Sequence, residues 1–174
     1  MRSSSALVVV LAVTSLLAAC GKSETPAPSA DGAPTTASDD AAPADTGAAA
    51  DAAAQATLAS LPAPYNAADW ANGKKQFARC RSCHTLGEGQ ADMTGPNLHG
   101  FLNRPMASKP GYNYSDALKE GEHHPWDATH LDAWIENPRA AHPGTKMAFA
   151  GLKDAEDRRD LIAYLMTETG YKPG

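Results

Sequence analysis

The 174-residue chain carries 20 acidic against 15 basic side chains, a formal charge of -5, with 43% hydrophobic and 6% aromatic residues. That length suits one domain with appendages, and nothing in the charge balance gives the basic footprint of a nucleic-acid binder. The excess acid is confined to residues 21–64, where Lys22 faces six carboxylates, whereas residues 65–174 hold 13 bases against 14 acids.

From the N-terminus, Arg2 precedes an apolar run, Ala6 to Ala19, interrupted only by Thr14 and Ser15. Fourteen residues rise only about 21 Å as a helix, short of a bilayer core of roughly 30 Å, and match the apolar region of a signal peptide. Leu17-Ala18-Ala19-Cys20-Gly21 resembles the lipobox of bacterial lipoproteins. The resemblance implies cleavage before Cys20 and acylation of its thiol, and two or three acyl chains suffice for stable anchoring. Export also places the chain outside the cytoplasm, where thiols do not stay free.

Residues 20–64 are Ala, Pro, Asp, Thr, Ser and Gly with almost no large apolar side chain, a composition that cannot offset its ordering entropy. We expect a disordered tether, in which Ala49–Ala54 has helical propensity but nothing to pack against. The expected organisation is therefore a signal peptide over 1–19, a lipidated Cys20 with a tether to 64, and a folded domain over 65–174.

In that domain Asn66 is placed to cap a helix with Asp69 in its first turn, and Trp70, Gly73 and Phe77 fall on one helical face. Shorter helices are expected near Ser115–Glu120 and Thr129–Asn137. A final helix begins at Asp154, with Leu161, Ile162, Leu165 and Met166 as its apolar stripe and Gly170 as its stop. No stretch alternates as a strand does. The fold class is all-α, with a share of loop so large that the domain needs a sizeable apolar group to fold around.

Cys80-Arg81-Ser82-Cys83-His84 is a C-x-x-C-H run, the attachment signature of c-type haem. Two thiols on a short turn can form thioethers with two vinyl groups while the adjoining imidazole reaches the iron. A redox-active C-x-x-C expects a βαβ context, which is missing, and a zinc site needs further ligands at matching spacing.

Beyond this run, the segment from about Asn66 to Tyr171 resembles a class I cytochrome c of the mitochondrial type and its bacterial relatives. The resemblance rests on Cys80–Thr85, Thr94-Gly95-Pro96-Asn97-Leu98-His99-Gly100, Gly111-Tyr112-Asn113-Tyr114-Ser115-Asp116, Glu136-Asn137-Pro138, Pro143 to Gly151, and Leu161-Ile162-Ala163-Tyr164-Leu165. It implies the cytochrome c fold, in which N- and C-terminal helices cross and loop-linked helices wrap one covalent haem.

It also implies the iron's second axial ligand. Met93 lies close to His84 in sequence, Met106 sits in a polar loop and Met166 belongs to the terminal stripe, whereas Met147 matches the family's ligand. A thioether opposite histidine raises the reduction potential. By the same resemblance the Pro96 carbonyl accepts from the His84 imidazole, and Arg104, Tyr114, Trp126 and Thr145 hydrogen-bond the haem propionates. Trp134 stands where relatives place a tyrosine near the Met sulfur. Trp126 falls one residue late, which marks an insertion near Glu122-His123-His124. His99, His123, His124, His130 and His142 are ordinary loop histidines in this reading.

Two strong axial ligands leave no open position on iron, so the expected function is one-electron transfer rather than catalysis. The expected setting is a respiratory or photosynthetic chain on the periplasmic side of a bacterial membrane, the inner membrane favoured over the outer. The expected state is a lipid-anchored monomer that meets partners such as a quinol–cytochrome c reductase and a terminal oxidase or reaction centre. Lys74, Lys75, Arg79, Arg81, Arg139, Lys146 and Lys153 are candidates for a cationic docking ring. The alternatives are a haem-based gas sensor or a peroxidase-like protein with a labile sixth ligand, and a haem-free lipoprotein with a Cys80–Cys83 disulfide.

Overall fold

The computed structural model describes residues 45–173. The expected signal peptide, Cys20 and the tether up to residue 44 lie outside the described residues. Six helices follow in order: α1 (Asp45–Ala59), α2 (Trp70–Phe77), α3 (Asp116–Lys119), α4 (Ala128–Glu136), α5 (Pro138–Ala141) and α6 (Ala155–Glu168). Single 3-10 turns form at Tyr65–Ala67 and Phe101–Asn103. Among the described residues there is no strand, only an isolated bridge between Pro105 and Pro125.

The first helix departs from the sequence-based expectation. Order was expected to begin at residue 65, but α1 is helical and packs against α6. Its alanine-rich sequence has high helix propensity, and Leu58 in its last turn and Leu61 just beyond its end are each only 5% exposed. Burying one leucine contributes about 1.5–3 kcal/mol, enough for a short helix to hold its place. An ion pair from Asp51 to Lys74 at 3.6 Å is half-exposed on both sides and adds little.

Asp69, not Asn66, caps α2: its carboxylate accepts the Asn72 N–H at 3.0 Å, while Asn66 sits inside the preceding 3-10 turn. The Asp69 N–H in turn donates to Asp160 Oδ1 at 3.1 Å, which ties the start of α2 to the middle of α6. Where these helices cross, Gly73 rests on the α6 backbone, and a Cβ there would lie 2.7 Å from the Cβ of Tyr164. The Tyr164 ring packs at 5.5 Å from Trp70 and 5.6 Å from Phe77, and Trp70 Nε1 donates to Thr167. Leu161, Ile162, Leu165 and Met166 are all buried, as the stripe predicts, and Gly170 closes the segment at φ +69°.

Two charged side chains lie inside this core. The Arg158 guanidinium meets both carboxylate oxygens of Asp132 on α4, at 2.8 and 3.3 Å, and donates to the Leu152 and Lys153 carbonyls. Asp160 accepts from Asn72 and Arg159 as well as from Asp69. Burial pushes the Asp160 carboxyl up, but those hydrogen bonds outweigh it and hold the group below its ordinary value. α6 is thereby bolted to α2 on one side and α4 on the other. The loops of residues 79–115 and 142–153 are left to enclose the space beyond.

Candidate functional site

The C-x-x-C-H run forms one further helical turn after α2. The Phe77 carbonyl accepts the Cys80 N–H at 2.8 Å, and the Cys80 carbonyl accepts both Cys83 N–H and His84 N–H at 2.9 Å. Residues three and four apart on such a turn share a face, so both thiols and the imidazole line one apolar cavity of about 330 Å³. That volume lies at the small end of the usual range for bound organic groups. Cys80 and Cys83 are not joined to each other by a disulfide. Burial pushes the Cys80 thiol up to about 11, against a smaller opposing pull from Arg79.

The His84 ring is gripped from two sides. Its Nδ1–H donates to the Pro96 carbonyl at 2.8 Å, which fixes the tautomer and leaves Nε2 free as a ligand. Burial favours the neutral, metal-binding form of the imidazole, only partly opposed by the Pro96 bond. Gly95 lies flat against the ring, where a Cβ would come within 2.7 Å of both nitrogens.

The structure brings the remaining expected residues around the same cavity. Met147, Arg104, Tyr114, Trp126, Trp134 and Thr145 all line it, with Phe77, Leu98, Phe101, Leu131, Ile135, Leu161 and Leu165 supplying an apolar wall. Among the described residues, His84 is the one histidine and Met147 the one methionine of that lining. The rival methionines are elsewhere: Met93 is 49% exposed, and Met106, expected in a polar loop, is buried at 1% with its N–H bonded to the His124 carbonyl. Met166 packs in the helix core. The Met147 loop is set by its own hydrogen bonds. Thr145 Oγ1 accepts the Met147 N–H at 3.2 Å, and Lys146 Nζ donates to the carbonyls of Asn113 and Tyr114. Arg104 donates to the His99 carbonyl at 2.8 Å, Trp126 meets Phe101 and Trp134 edge-on, and Trp134 meets His142.

Thiols, imidazole and thioether facing one apolar cavity form a donor set that fits a covalent haem, and the absence of a side chain at Gly95 is the clearance the imidazole needs. The sequence reading missed the network holding the Pro96 segment. Asn97 is buried, donates to Thr85 Oγ1 and the Gly87 carbonyl, and gives its N–H to Asp92; Asp92 pairs with Lys109, and Tyr112 donates to the Thr94 carbonyl. Loop-to-loop bonds of this kind leave no periodic signal.

A family model described as Cytochrome c matches residues 70–169. A cytochrome c2 of Rhodomicrobium vannielii is 41% identical over 66% of this chain and 91% of its own length. A cytochrome c of Stellaria longipes is 44% identical over 60% of this chain and 97% of its own. Among solved structures, cytochrome cH from Methylobacterium extorquens is similar with a TM-score of 0.53 and 39% identity, over 57% of this chain and 98% of that one.

Proposed function

Because this chain belongs to the cytochrome c family, we propose that it carries single electrons in an extracytoplasmic chain, with Cys80 and Cys83 bonded to a haem and His84 and Met147 as axial ligands. It is a haem c electron carrier and not an enzyme. The observation that carries the ligand assignment is the cavity lining, in which His84 and Met147 are the sole histidine and methionine among the described residues.

Bound haem c supplies a one-electron Fe(III)/Fe(II) couple. The rest is the work of the chain. Cys80 and Cys83, on one helical turn, would hold the haem through thioethers to its two vinyl groups. Pro96 holds the Nδ1–H of His84 and so strengthens the imidazole as a donor. Thr145 fixes the loop that presents the Met147 sulfur. The aromatic and aliphatic wall excludes water, and Arg104, Tyr114, Trp126 and Thr145 are the polar side chains available to the haem carboxylates. Trp134 is part of that wall. With both His84 and Met147 engaged, the haem iron would have no place for a substrate, as suits a carrier.

Arg79 and Lys146 line the cavity, and Arg81 and Lys75 are exposed on the same stretch of chain as the attachment turn. Together they suit brief encounters with acidic faces of redox partners, such as a quinol–cytochrome c reductase as donor and a terminal oxidase or reaction centre as acceptor. We assign the lipid anchor to Cys20, on the periplasmic side of a bacterial membrane. No helix of the described residues is long and apolar enough to cross a membrane.

The test is the intact mass and redox titration of the purified protein. A mass increased by one haem that survives acid–acetone extraction, with a one-electron Nernst response, supports the reading. An apoprotein mass with a Cys80–Cys83 disulfide defeats it. Radiolabelled palmitate incorporation lost in Cys20→Ser tests the anchor separately.

A further inference from the structure

The proximal histidine is held by Pro96, but Pro96 sits in a loop with no secondary structure to hold it in turn. Two bonds from a distant segment do so. On one flank of Gly95-Pro96, the Tyr112 hydroxyl donates to the Thr94 carbonyl at 2.6 Å. On the other, the Asn97 N–H donates to Asp92 Oδ1 at 2.7 Å, and Lys109 Nζ closes on the same carboxylate at 2.7 Å. Lys109 and Tyr112 belong to one tight turn that lies beyond the 3-10 segment at Phe101–Asn103. The Asp92–Lys109 pair lies at the surface, its side chains 28% and 24% exposed, so its ion-pair energy alone is small and its role is to place the loop. The partners of Asp92 also hold its carboxyl below the ordinary range.

We infer that Asp92 is a positioning residue for the haem ligand, acting with Lys109 and Tyr112 as a staple that fixes the Pro96 carbonyl on the Nδ1–H of His84. The inference rests on the haem-carrier reading above and adds a residue to it. The geometry makes the coupling direct. Gly95 and Pro96 lie between the two stapled points, Gly95 is flush with the imidazole, and the Gly95 N–H donates back to the Cys83 carbonyl at 2.9 Å. A loop released at Asp92 therefore cannot drift without changing the length or angle of the 2.8 Å bond to His84. A shorter, stronger bond gives the imidazole more anionic character and stabilises ferric iron; a loosened one favours ferrous.

The experiment uses the holoprotein with Asp92→Ala, Asp92→Asn and Tyr112→Phe. The readouts are the midpoint potential and the solvent exchange of the His84 Nδ1–H followed by NMR. Asp92→Ala should move the ferrous-to-ferric ratio at fixed ambient potential about threefold toward ferrous, which is about 28 mV at 59 mV per tenfold, and speed Nδ1–H exchange at least tenfold. Asp92→Asn keeps an acceptor for Asn97 and loses the ion pair, so it should restore part of both effects. Tyr112→Phe should shift both in the same direction. If Asp92→Ala lowers thermal stability while potential and exchange stay at wild-type values, the staple is merely structural and the inference fails. If Asp92→Ala does not fold, unchanged readouts in Asp92→Asn and Tyr112→Phe overturn it equally. A wild type without haem would defeat the carrier reading instead, before any variant is made.

Discussion

Replacing Gly95 by Ala adds one methyl group at the most confined point of the site. The new Cβ would lie 2.7 Å from both imidazole nitrogens of His84 and closer still to Cε1. Ordinary carbon contacts need about 3.5 Å, so at least about 0.8 Å must be opened between ring and backbone. The ring cannot yield without stretching its 2.8 Å bond to Pro96. The backbone is held too, because the Gly95 N–H donates to Cys83 and its carbonyl accepts from Met93, both at 2.9 Å. Overpacking of this kind costs about 1–3 kcal/mol, and a weakened hydrogen bond adds about 1 kcal/mol. We expect a loss of about 2–3 kcal/mol, and a melting temperature lowered by roughly 8–12 °C for a domain of this size. Gly87→Ala is the control: its Cβ would meet only the Gln90 side chain, which is exposed and can swing aside, so the change should stay below about 1 kcal/mol. The assay is thermal unfolding of the holoprotein, with the haem absorption spectrum as a reporter of the ligand. A Gly95→Ala protein within about 0.5 kcal/mol of wild type, with an unaltered spectrum, would refute the close-contact argument.

Three further outcomes follow from other parts of the molecule. Leu58→Ala should cost about 1.5–2.5 kcal/mol and no more, because α1 can undock once its contribution is lost; a loss below about 0.5 kcal/mol, or one above about 4 kcal/mol, would contradict the packing of α1 as a separable helix. The depressed Asp160 carboxyl contributes stability that is present above the unfolded value near 3.8 and lost as pH falls through the lower folded value; Asp160→Asn should flatten the acid limb of the stability–pH curve below about pH 4, and an unchanged limb would count against it. Electron transfer to an acidic partner should slow as ionic strength rises past the point where the screening length is about 10 Å, whereas salt-independent rates would remove the cationic face from the account.

Much of the framework was legible in the sequence because it is periodic. Trp70, Gly73 and Phe77, and the stripe from Leu161 to Met166, mark two helices whose facing sides are written in their spacing. The start of α2 was misplaced by three residues, since Asn66 and Asp69 are both good caps and only the contact with Asp160 decides between them. α1 was missed for a related reason. Its body is almost all small residues, and Leu58 in its last turn and Leu61 just beyond it are worth something only once α6 is there to receive them. In the site, the attachment turn and the resemblance brought His84, Met147 and their neighbours to one place. The staple from Asp92 and Tyr112 was invisible, because bonds between loops 17 and 18 residues apart follow no repeat.

The central claim is that His84 and Met147 close both axial positions of one haem. Spectra of the reduced protein recorded with and without carbon monoxide test it most directly, with Met147→Ala measured alongside. The account predicts a low-spin wild-type spectrum that carbon monoxide leaves unchanged, a ferric Met–iron band, and a Met147→Ala protein that loses the band and binds carbon monoxide at once. A wild type that binds carbon monoxide as readily as the variant, with no Met–iron band, would contradict it.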